Sequence, residues 1–376
     1  MDKATPFTYG KLTNAHTFAN RTKEIEHLGF NFRGGVNTII ISPRRWGKSS
    51  LVEEAARRIK DKHIKIAFLD LYDTKTEKEF YFLLANEVIK ACTSKAEDFF
   101  NNAKGIFRHL IPKISYSPAQ DQKIDIEFNW EQVQKNPSEI LDMAESLAIA
   151  KNIRLVVCMD EFQNIGSFKK SLDFQKKLRA HWQRHQHVTY CLYGSKRSML
   201  IEFFSSSRMP FYKFGDIILL EKISGLEWEK FIIRRFKSTQ KKIGTPIARL
   251  IHEYAEQHSY YVQQLAQQCW LRTETVCTEE IVENALESLI NQLSLLFHGM
   301  TDLLPTTQVR FLNALLDNQT SLTSKKVLEK YQLGTSSNVK RIKQALVQKE
   351  IIDIMGKDIN ILDPIYKHWL RRFYFR

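Results

Sequence analysis

The chain has 376 residues, 43% of them hydrophobic and 26% charged, with only 14 Gly and 9 Pro; that balance excludes disordered, collagen-like and low-complexity chains. At roughly 100–200 residues per domain, two or three units are expected. An excess of 56 Lys+Arg over 42 Asp+Glu gives a formal charge of +14, which favours a polyanionic partner (a nucleotide, nucleic acid or an acidic protein) without choosing among them.

Residues 1–20 show no cationic stretch followed by an apolar core, so no secretory signal is expected. Val36–Ile41 (VNTIII) is a β-branched apolar run that stops at Ser42-Pro43, and it reads as a buried parallel strand. Ser49–Lys60 follows as a helix, with Leu51, Val52, Ala55, Ala56 and Ile59 on one face. Ile64–Asp70 reads as a second strand and Glu77–Ala91 as a second helix. Within residues 100–137, Ile124, Ile126 and Phe128 alternate with charge, which predicts a hairpin inserted into this region. Arg154–Asp160, a helix from about Leu172 to His185, and Val188–Gly194 resume the alternation. Such an order calls for an α/β fold, a parallel sheet with helices on both faces.

Beyond Gly225 the pattern becomes helical, with helices expected at Leu226–Phe236, Ile247–Gln257, Tyr260–Arg272 and Glu279–Phe297. From Asp302 onward the order is helix, short helix, helix, then a hairpin of Ile351–Met355 and Ile359–Leu362 turning at Gly356-Lys357-Asp358, as in a winged helix-turn-helix. The expected division is therefore 1–225 as the α/β domain, 226–298 as a helical subdomain and 299–376 as the winged helix. The longest apolar runs, such as Ile217–Leu220 and Phe231–Ile233, fall far short of the roughly 20 residues that span a bilayer. A cytoplasmic protein without a membrane partner is expected. Cys92, Cys158, Cys191, Cys269 and Cys277 are odd in number and form no C-x-x-C pair, so all five read as structural.

Ser42–Ser50 (SPRRWGKSS) lies between the first strand and its helix. In a loop of the form G-x-x-x-x-G-K-S/T, backbone N–H groups cradle phosphates, the Lys reaches the β and γ oxygens, and the hydroxyl ligates Mg²⁺. Gly47, Lys48 and Ser49 supply the second half of that pattern, and Ser42 stands in place of its first glycine. Pro43, Arg44, Arg45, Trp46 and Ser50 complete the candidate nucleotide contacts. The tripeptide alone reads equally well as a basic surface turn; the flanking strand and helix supply the context.

A second signal lies 112 positions after Lys48, where an apolar strand ends in Asp160-Glu161. On a strand expected to lie beside the loop strand, Asp160 would hold Mg²⁺ with Ser49, and Glu161 would orient or deprotonate the attacking water. Alone, the pair also fits a charged helix start. No N-K-x-D segment for guanine is present, so ATP is the expected nucleotide. Ser195, which follows the strand Val188–Gly194, is placed to sense a γ-phosphate or to cap the next helix, two compatible roles.

Taken together, Phe18–Glu24 (FANRTKE), SPRRWGKSSLV, MDEFQ, YGS and ILDPIYKHWLRR at Ile361–Arg372 resemble the archaeal-type ATPase family, in the STAND-like branch of the AAA+ P-loop ATPases. The resemblance implies a P-loop ATPase domain, a helical lid and a C-terminal winged helix, with ATP or ADP and Mg²⁺ as cofactors. It also implies that Phe18, Asn20 and Arg21 lie near the adenine, that Ser195 acts as sensor 1, and that His258–Gln263 form a lid segment. One departure stands out. Relatives often carry Tyr-Gly-Arg where this chain has Phe211-Tyr212-Lys213-Phe214-Gly215, which leaves Arg208 or Lys213 as the nearby cations and puts turnover in question.

Residues 302–376 hold 13 Lys+Arg against 7 Asp+Glu, a net charge of +6. In Ser336–Lys349, Val339, Ile342 and Leu346 would be buried while Lys340, Arg341 and Lys343 face DNA phosphates. The alternative is a packing module, with Ile365, Trp369 and Leu370 docking on an apolar surface. His181, His185 and His187 lack a third ligand at zinc-site spacing and read as a solvated basic face, and Trp130 and Trp182 read as core or interface anchors. Three functions stay open: a nucleotide-controlled ATPase switch, a regulatory or DNA-binding module with little or no hydrolysis, and an oligomeric DNA-processing motor. A homo-oligomer and an effector protein are the corresponding partners.

Overall fold

The computed structural model describes residues 5–13, 17–93, 113–117, 123–127, 131, 133 and 137–375; Trp130 lies outside them. The chain forms two compact units, residues 21–221, and residues 1–20 together with 222–376.

The first unit opens with a helix, α1 (Thr22–Gly34), followed by β1 (Thr38–Ile41), α2 (Lys48–Arg58), β2 (Ile64–Asp70) and α3 (Glu77–Cys92). An antiparallel pair, β3 (Lys113–Ser117) and β4 (Lys123–Glu127), comes next, in the register Lys113↔Glu127, so the expected hairpin forms. Then come α4 (Pro137–Leu141), α5 (Met143–Ala150), β5 (Arg154–Asp160), α6 (Ser171–Trp182), β6 (Val188–Gly194), α7 (Arg197–Ser205) and β7 (Asp216–Leu219). The strands other than the hairpin make one parallel sheet in the order β2-β5-β6-β1-β7.

The inner strands β1 and β6 are buried along their whole length, as continuous apolar runs must be when both faces of a sheet are covered. The edge strands expose Phe68 on β2 and Leu219 on β7. The expected strand at 36–41 begins only at Thr38, because the Val36 N–H is spent on the Asn31 carbonyl at the end of α1. A larger correction concerns neighbours. The strand bearing Asp160 is not beside the loop strand: β6 lies between β1 and β5, a placement that depends on long-range pairing and that local pattern does not carry.

The expectation of a solvated histidine face is also overturned. The His181 Nδ1 and His185 Nε2 nitrogens both meet Asp142 Oδ1, at 2.8 and 3.0 Å, His185 Nδ1 lies 2.8 Å from the Tyr190 hydroxyl, and His187 Nδ1 is 2.9 Å from Glu145 Oε1. Burial pushes the Asp142 carboxyl up, but the hydrogen bonds with His185 and His181 outweigh it and hold the group below its ordinary value. The partner carboxylates lie about 40 residues upstream, at the start of α5, so no local spacing could announce them. Among the described residues no cluster of His, Cys, Asp and Glu is arranged to hold a metal ion.

The second unit is helical, with α8 (Gly225–Lys237), α9 (Thr245–Tyr254), α10 (Ser259–Arg272) and α11 (Glu279–Asp302), and a short parallel pair of β8 (Lys242–Ile243) with β9 (Val276–Cys277). Residues of the N-terminal segment belong to it. Phe7 is buried edge-on against Phe231 and Phe236, and the Thr8 N–H donates to Gln263 Oε1 at 3.0 Å. The winged-helix order follows as α12 (Thr306–Leu316), α13 (Lys325–Lys330), α14 (Ser336–Gln348) and the antiparallel hairpin β10 (Ile352–Met355) and β11 (Asp358–Ile361).

The Asp363-Pro364 and Trp369-Leu370 pairs within the Ile361–Arg372 segment have a mechanical explanation. Asp363 caps α15 (Pro364–Trp369), its Oδ1 accepting from the N–H groups of Ile365 and Tyr366 at 2.9 and 3.0 Å, and its other oxygen accepts from the Tyr261 hydroxyl. Pro364 occupies the first helical position, where its missing N–H costs nothing. Ile365, Trp369 and Leu370 are fully buried, and the Trp369 indole N–H donates to Ser294 Oγ on α11 at 2.9 Å. The apolar surface expected for the tail is therefore the chain's own helix α11. All five cysteines are buried and unbridged. No helix among the described residues is long and apolar enough to cross a membrane.

The core of the first unit gathers on Trp182, which is buried, stacks on Tyr190 at 4.1 Å between centroids and lies 5.9 Å from Phe211 and 6.4 Å from Phe80. Trp182→Ala is expected to cost about 3–5 kcal/mol of unfolding free energy. A urea melt read by circular dichroism checks this; a loss under about 1 kcal/mol would show that the cluster is not central.

Candidate active site

The sheet delivers three strand ends to one edge, those of β1, β6 and β5, and the candidate residues follow directly from them. After Ile41 the chain enters the loop, where Ser42 and Pro43 are buried, Arg44 and Arg45 exposed, and Trp46 half-buried. Arg45 and Gly47 have positive φ, 62° and 89°, whereas Ser42 does not. That explains why serine fits where the loop pattern has its first glycine, and why position 47 needs a residue without Cβ. Helix α2 begins at Lys48, and no side chain caps its first turn, so the amides and the positive end of the helix dipole are presented to the loop. Lys48 and Ser50 are buried.

Ser49, the next residue, donates its hydroxyl to Asp160 Oδ2 across 111 positions of sequence. Asp160 closes β5, and its Oδ1 accepts the Glu161 N–H at 2.8 Å. Burial pushes the Asp160 carboxyl above its ordinary value; the Ser49 hydroxyl, the Lys48 charge and the Glu161 N–H pull it down, and the Glu161 charge adds to the rise. A hydroxyl against a desolvated carboxylate is a pair of hard oxygen ligands, the set that Mg²⁺ takes, so the residues fit that ion.

Glu161 itself is held at φ 51°, ψ 37°, a left-handed conformation that costs a non-glycine residue about 1–3 kcal/mol and persists where surrounding structure enforces it. Its Oε2 accepts from Ser195 Oγ at 2.8 Å, from the Ser195 N–H at 3.4 Å and from Gln163 Nε2. Ser195 therefore reaches the acidic pair from the intervening strand β6. The unexpected position of β6 is what makes this contact possible.

Arg21 also belongs to this unit and is buried. Its guanidinium donates to the Trp46 carbonyl at 3.2 Å, to the Glu221 carbonyl at 3.0 Å and to Glu24 Oε1 at 3.2 Å. It thus ties the loop to the chain segment after β7. Sequence reasoning missed this tie, because backbone carbonyls leave no residue signature, and it missed Gln163, visible only as the last letter of D-E-F-Q. Phe18 and Asn20 fall in the other unit, Phe18 half-buried and the Asn20 amide donating to the Glu227 carboxylate. His258–Gln263 form the start of α10 in that same unit. Arg208 and Lys213 are both exposed, and the Lys213 ammonium lies 5.3 Å from the centroid of the Tyr212 ring.

Residues 18–275 match the profile of a family described as an ATPase domain predominantly from Archaea, and residues 295–372 match one described as "Probable winged helix domain". Among solved structures, the Walker-type ATPase PABY2304 of Pyrococcus abyssi is similar with a TM-score of 0.64 at 15% identity, over 96% of this chain and 98% of that one. The ORC2 protein of Aeropyrum pernix, solved as ADPNP-ADP complexes, is similar with a TM-score of 0.59 at 14% identity, over 98% of this chain and 96% of that one. At such identities the likeness concerns the fold. No curated protein sequence matches the chain.

Because the folded Asp160 carboxyl titrates above its unfolded value, its contribution to stability is greatest at low pH and is lost as pH rises through the folded value. Asp160→Asn is therefore expected to raise the melting temperature of the nucleotide-free protein at pH 8, by about 2–4 °C for each kcal/mol relieved. The gain shrinks as pH falls into the carboxylate range. Calorimetric scans at several pH values check this; a lowered melting temperature at pH 8, or a pH-independent gain, contradicts it.

Proposed function

Because the chain belongs to the family of ATPase domains found predominantly in Archaea, we propose that it is a Mg²⁺-dependent ATP hydrolase serving as a nucleotide-controlled switch in the STAND-like manner. The observation that carries this reading is the Ser49–Asp160 hydrogen bond beside buried Lys48. It joins loop and strand end into one cluster able to meet a polyphosphate and its counter-ion.

Lys48 and the N–H groups of residues 47–49 hold the β and γ phosphates, with Pro43, Arg44, Arg45, Trp46 and Ser50 shaping the rest of the loop. Mg²⁺, when bound by Ser49 and Asp160, neutralises charge on the phosphate oxygens. Glu161 accepts a proton from water as the water oxygen bonds to the γ-phosphorus. The bond from that phosphorus to the β–γ bridging oxygen breaks with its electron pair, leaving ADP and inorganic phosphate. Phe18, Asn20 and Arg21 serve the adenine side, and Ser195 senses the γ-phosphate. Residues 226–298 act as lid and 299–376 as output module, whose orientation follows the difference in affinity of the two states for ATP and ADP.

Turnover by the wild type beside Lys48→Ala and Glu161→Gln tests the hydrolytic reading. Lys48→Ala is expected to abolish nucleotide binding, and Glu161→Gln to retain binding while losing about 10²–10⁴-fold in kcat. Equal turnover in wild type and Glu161→Gln refutes hydrolysis through Glu161. The second reading, a binding module with little turnover, is favoured by the departure at Lys213, where a cation stacked near Tyr212 replaces the expected arginine.

On α14, Val339, Ile342 and Leu346 are buried while Lys340 and Arg341 are exposed and Lys343 half-buried. That pattern supports a DNA-backbone contact through these three cations, with the chain acting as a homo-oligomer or on an effector protein. Replacing all three by Ala is expected to reduce the slope of log affinity against log salt by about 3 on duplex DNA. An unchanged slope in a fluorescence-anisotropy titration removes this helix from any DNA contact.

A further inference from the structure

Resting on the reading of Glu161 as the base, we propose that Gln163 is the positioning residue that keeps the Glu161 carboxylate in place once the Ser195 hydroxyl turns its hydrogen bond from Glu161 to the nucleotide. The hydrogen bonds of the Glu161 side chain, among the described residues, all fall on one oxygen, Oε2, and come from Ser195 and Gln163. Oε1 is left as the oxygen to take the proton of water.

The two donors are not equivalent. A serine hydroxyl carries a single hydrogen, so Ser195 cannot donate to a γ-phosphate oxygen and to Glu161 through Oγ at the same time. Sensing the phosphate therefore removes its 2.8 Å bond to the carboxylate. The Gln163 amide has no such competitor. It is 1% exposed, follows the fully buried Phe162 and precedes the fully buried Ile165, so its side chain is confined. Its orientation is fixed by charge, since the reversed amide would set an oxygen against the carboxylate oxygen.

The fold makes room for this amide at a recognisable cost. Gly194, the last residue of β6, has no side chain, and a Cβ built there would lie 1.8 Å from Gln163 Oε1 and 3.3 Å from Glu161 Cα. Gln163 occupies the space that any other residue at 194 would fill. Its Oε1 is buried without a hydrogen-bond partner, as are those of Gln175, Gln264, Gln267 and Gln308, so it is the bond made by the N–H end and not the burial of the oxygen that distinguishes Gln163. With the left-handed backbone of Glu161 and the clearance at Gly194, the N–H end of this side chain grips the carboxylate while the serine is free to exchange partners.

The test compares wild type, Gln163→Met, Glu161→Gln and the double variant, each measured for turnover and, by calorimetry, for Mg·ADP binding. Gln163→Met keeps length and apolar packing and removes the donor. It is expected to lower kcat about 10- to 100-fold, the loss that misplacement of a catalytic group by about 1 Å produces, with Mg·ADP affinity within about twofold of wild type. The double variant is expected to turn over no more slowly than Glu161→Gln alone, because a positioner has no effect once its base is gone. Retained Mg·ADP binding shows that each variant is folded. Wild-type kcat in Gln163→Met, or an additive loss in the double variant, overturns the proposal. Full turnover in Glu161→Gln instead overturns the reading on which it rests.

Discussion

The desolvated carboxylate of Asp160 is the constraint around which the first unit is organised. A charge withdrawn from water is tolerated only if neighbours compensate it, and here the compensation comes from the Ser49 hydroxyl, the Lys48 ammonium and the Glu161 N–H. Asp160 and those groups sit on three separate features: the end of β5, the first turn of α2 and the strained turn after β5. Each feature is where it is because a sheet strand ends at the same edge.

The intervening strand β6 changes how the acidic pair works. Were β5 directly beside β1, Glu161 would lie against the loop itself; with β6 between them, Glu161 is instead met by Ser195 and bordered by Gly194. One small residue and one hydroxyl at the end of β6 then decide what can stand next to the carboxylate. The buried Arg21, spanning from Trp46 to Glu221 through their carbonyls, stiffens the far side of the loop in the same way.

In the second unit the C-terminal helix α15 is bound to α10 and α11 rather than left as an appendage. Asp363 receives the Tyr261 hydroxyl, Lys367 pairs with Glu256 at 2.6 Å, His368 lies 2.9 Å from the Tyr254 carbonyl, and Trp369 reaches Ser294. This set of contacts holds α15 to α9, α10 and α11. It leaves Lys340 and Arg341 on the opposite, solvated side of α14's buried stripe.

The sequence by itself determined the parts whose signal is local: the strands Ile64–Asp70, Arg154–Asp160 and Val188–Gly194, the helices between Gly225 and Asp302, the order of the winged helix, and the positions of Ser49, Asp160 and Ser195 at helix starts and strand ends. Period, turn chemistry and motif spacing are written within a few residues, so they could be read. The helices Thr22–Gly34 and Arg197–Ser205 lay outside the expected elements, although Ile25, Leu28 and Phe32 of the first fall at helical spacing. The order of strands, the capture of His181 and His185 by Asp142, the burial of Trp369 against α11, and the grip of Gln163 and Ser195 on Glu161 were decided only by tertiary structure. Each joins groups from 34 to more than 100 residues apart, or depends, as Gln163 does, on a strand end far along the chain, and such pairings are chosen by packing and desolvation in three dimensions rather than by any pattern along the chain.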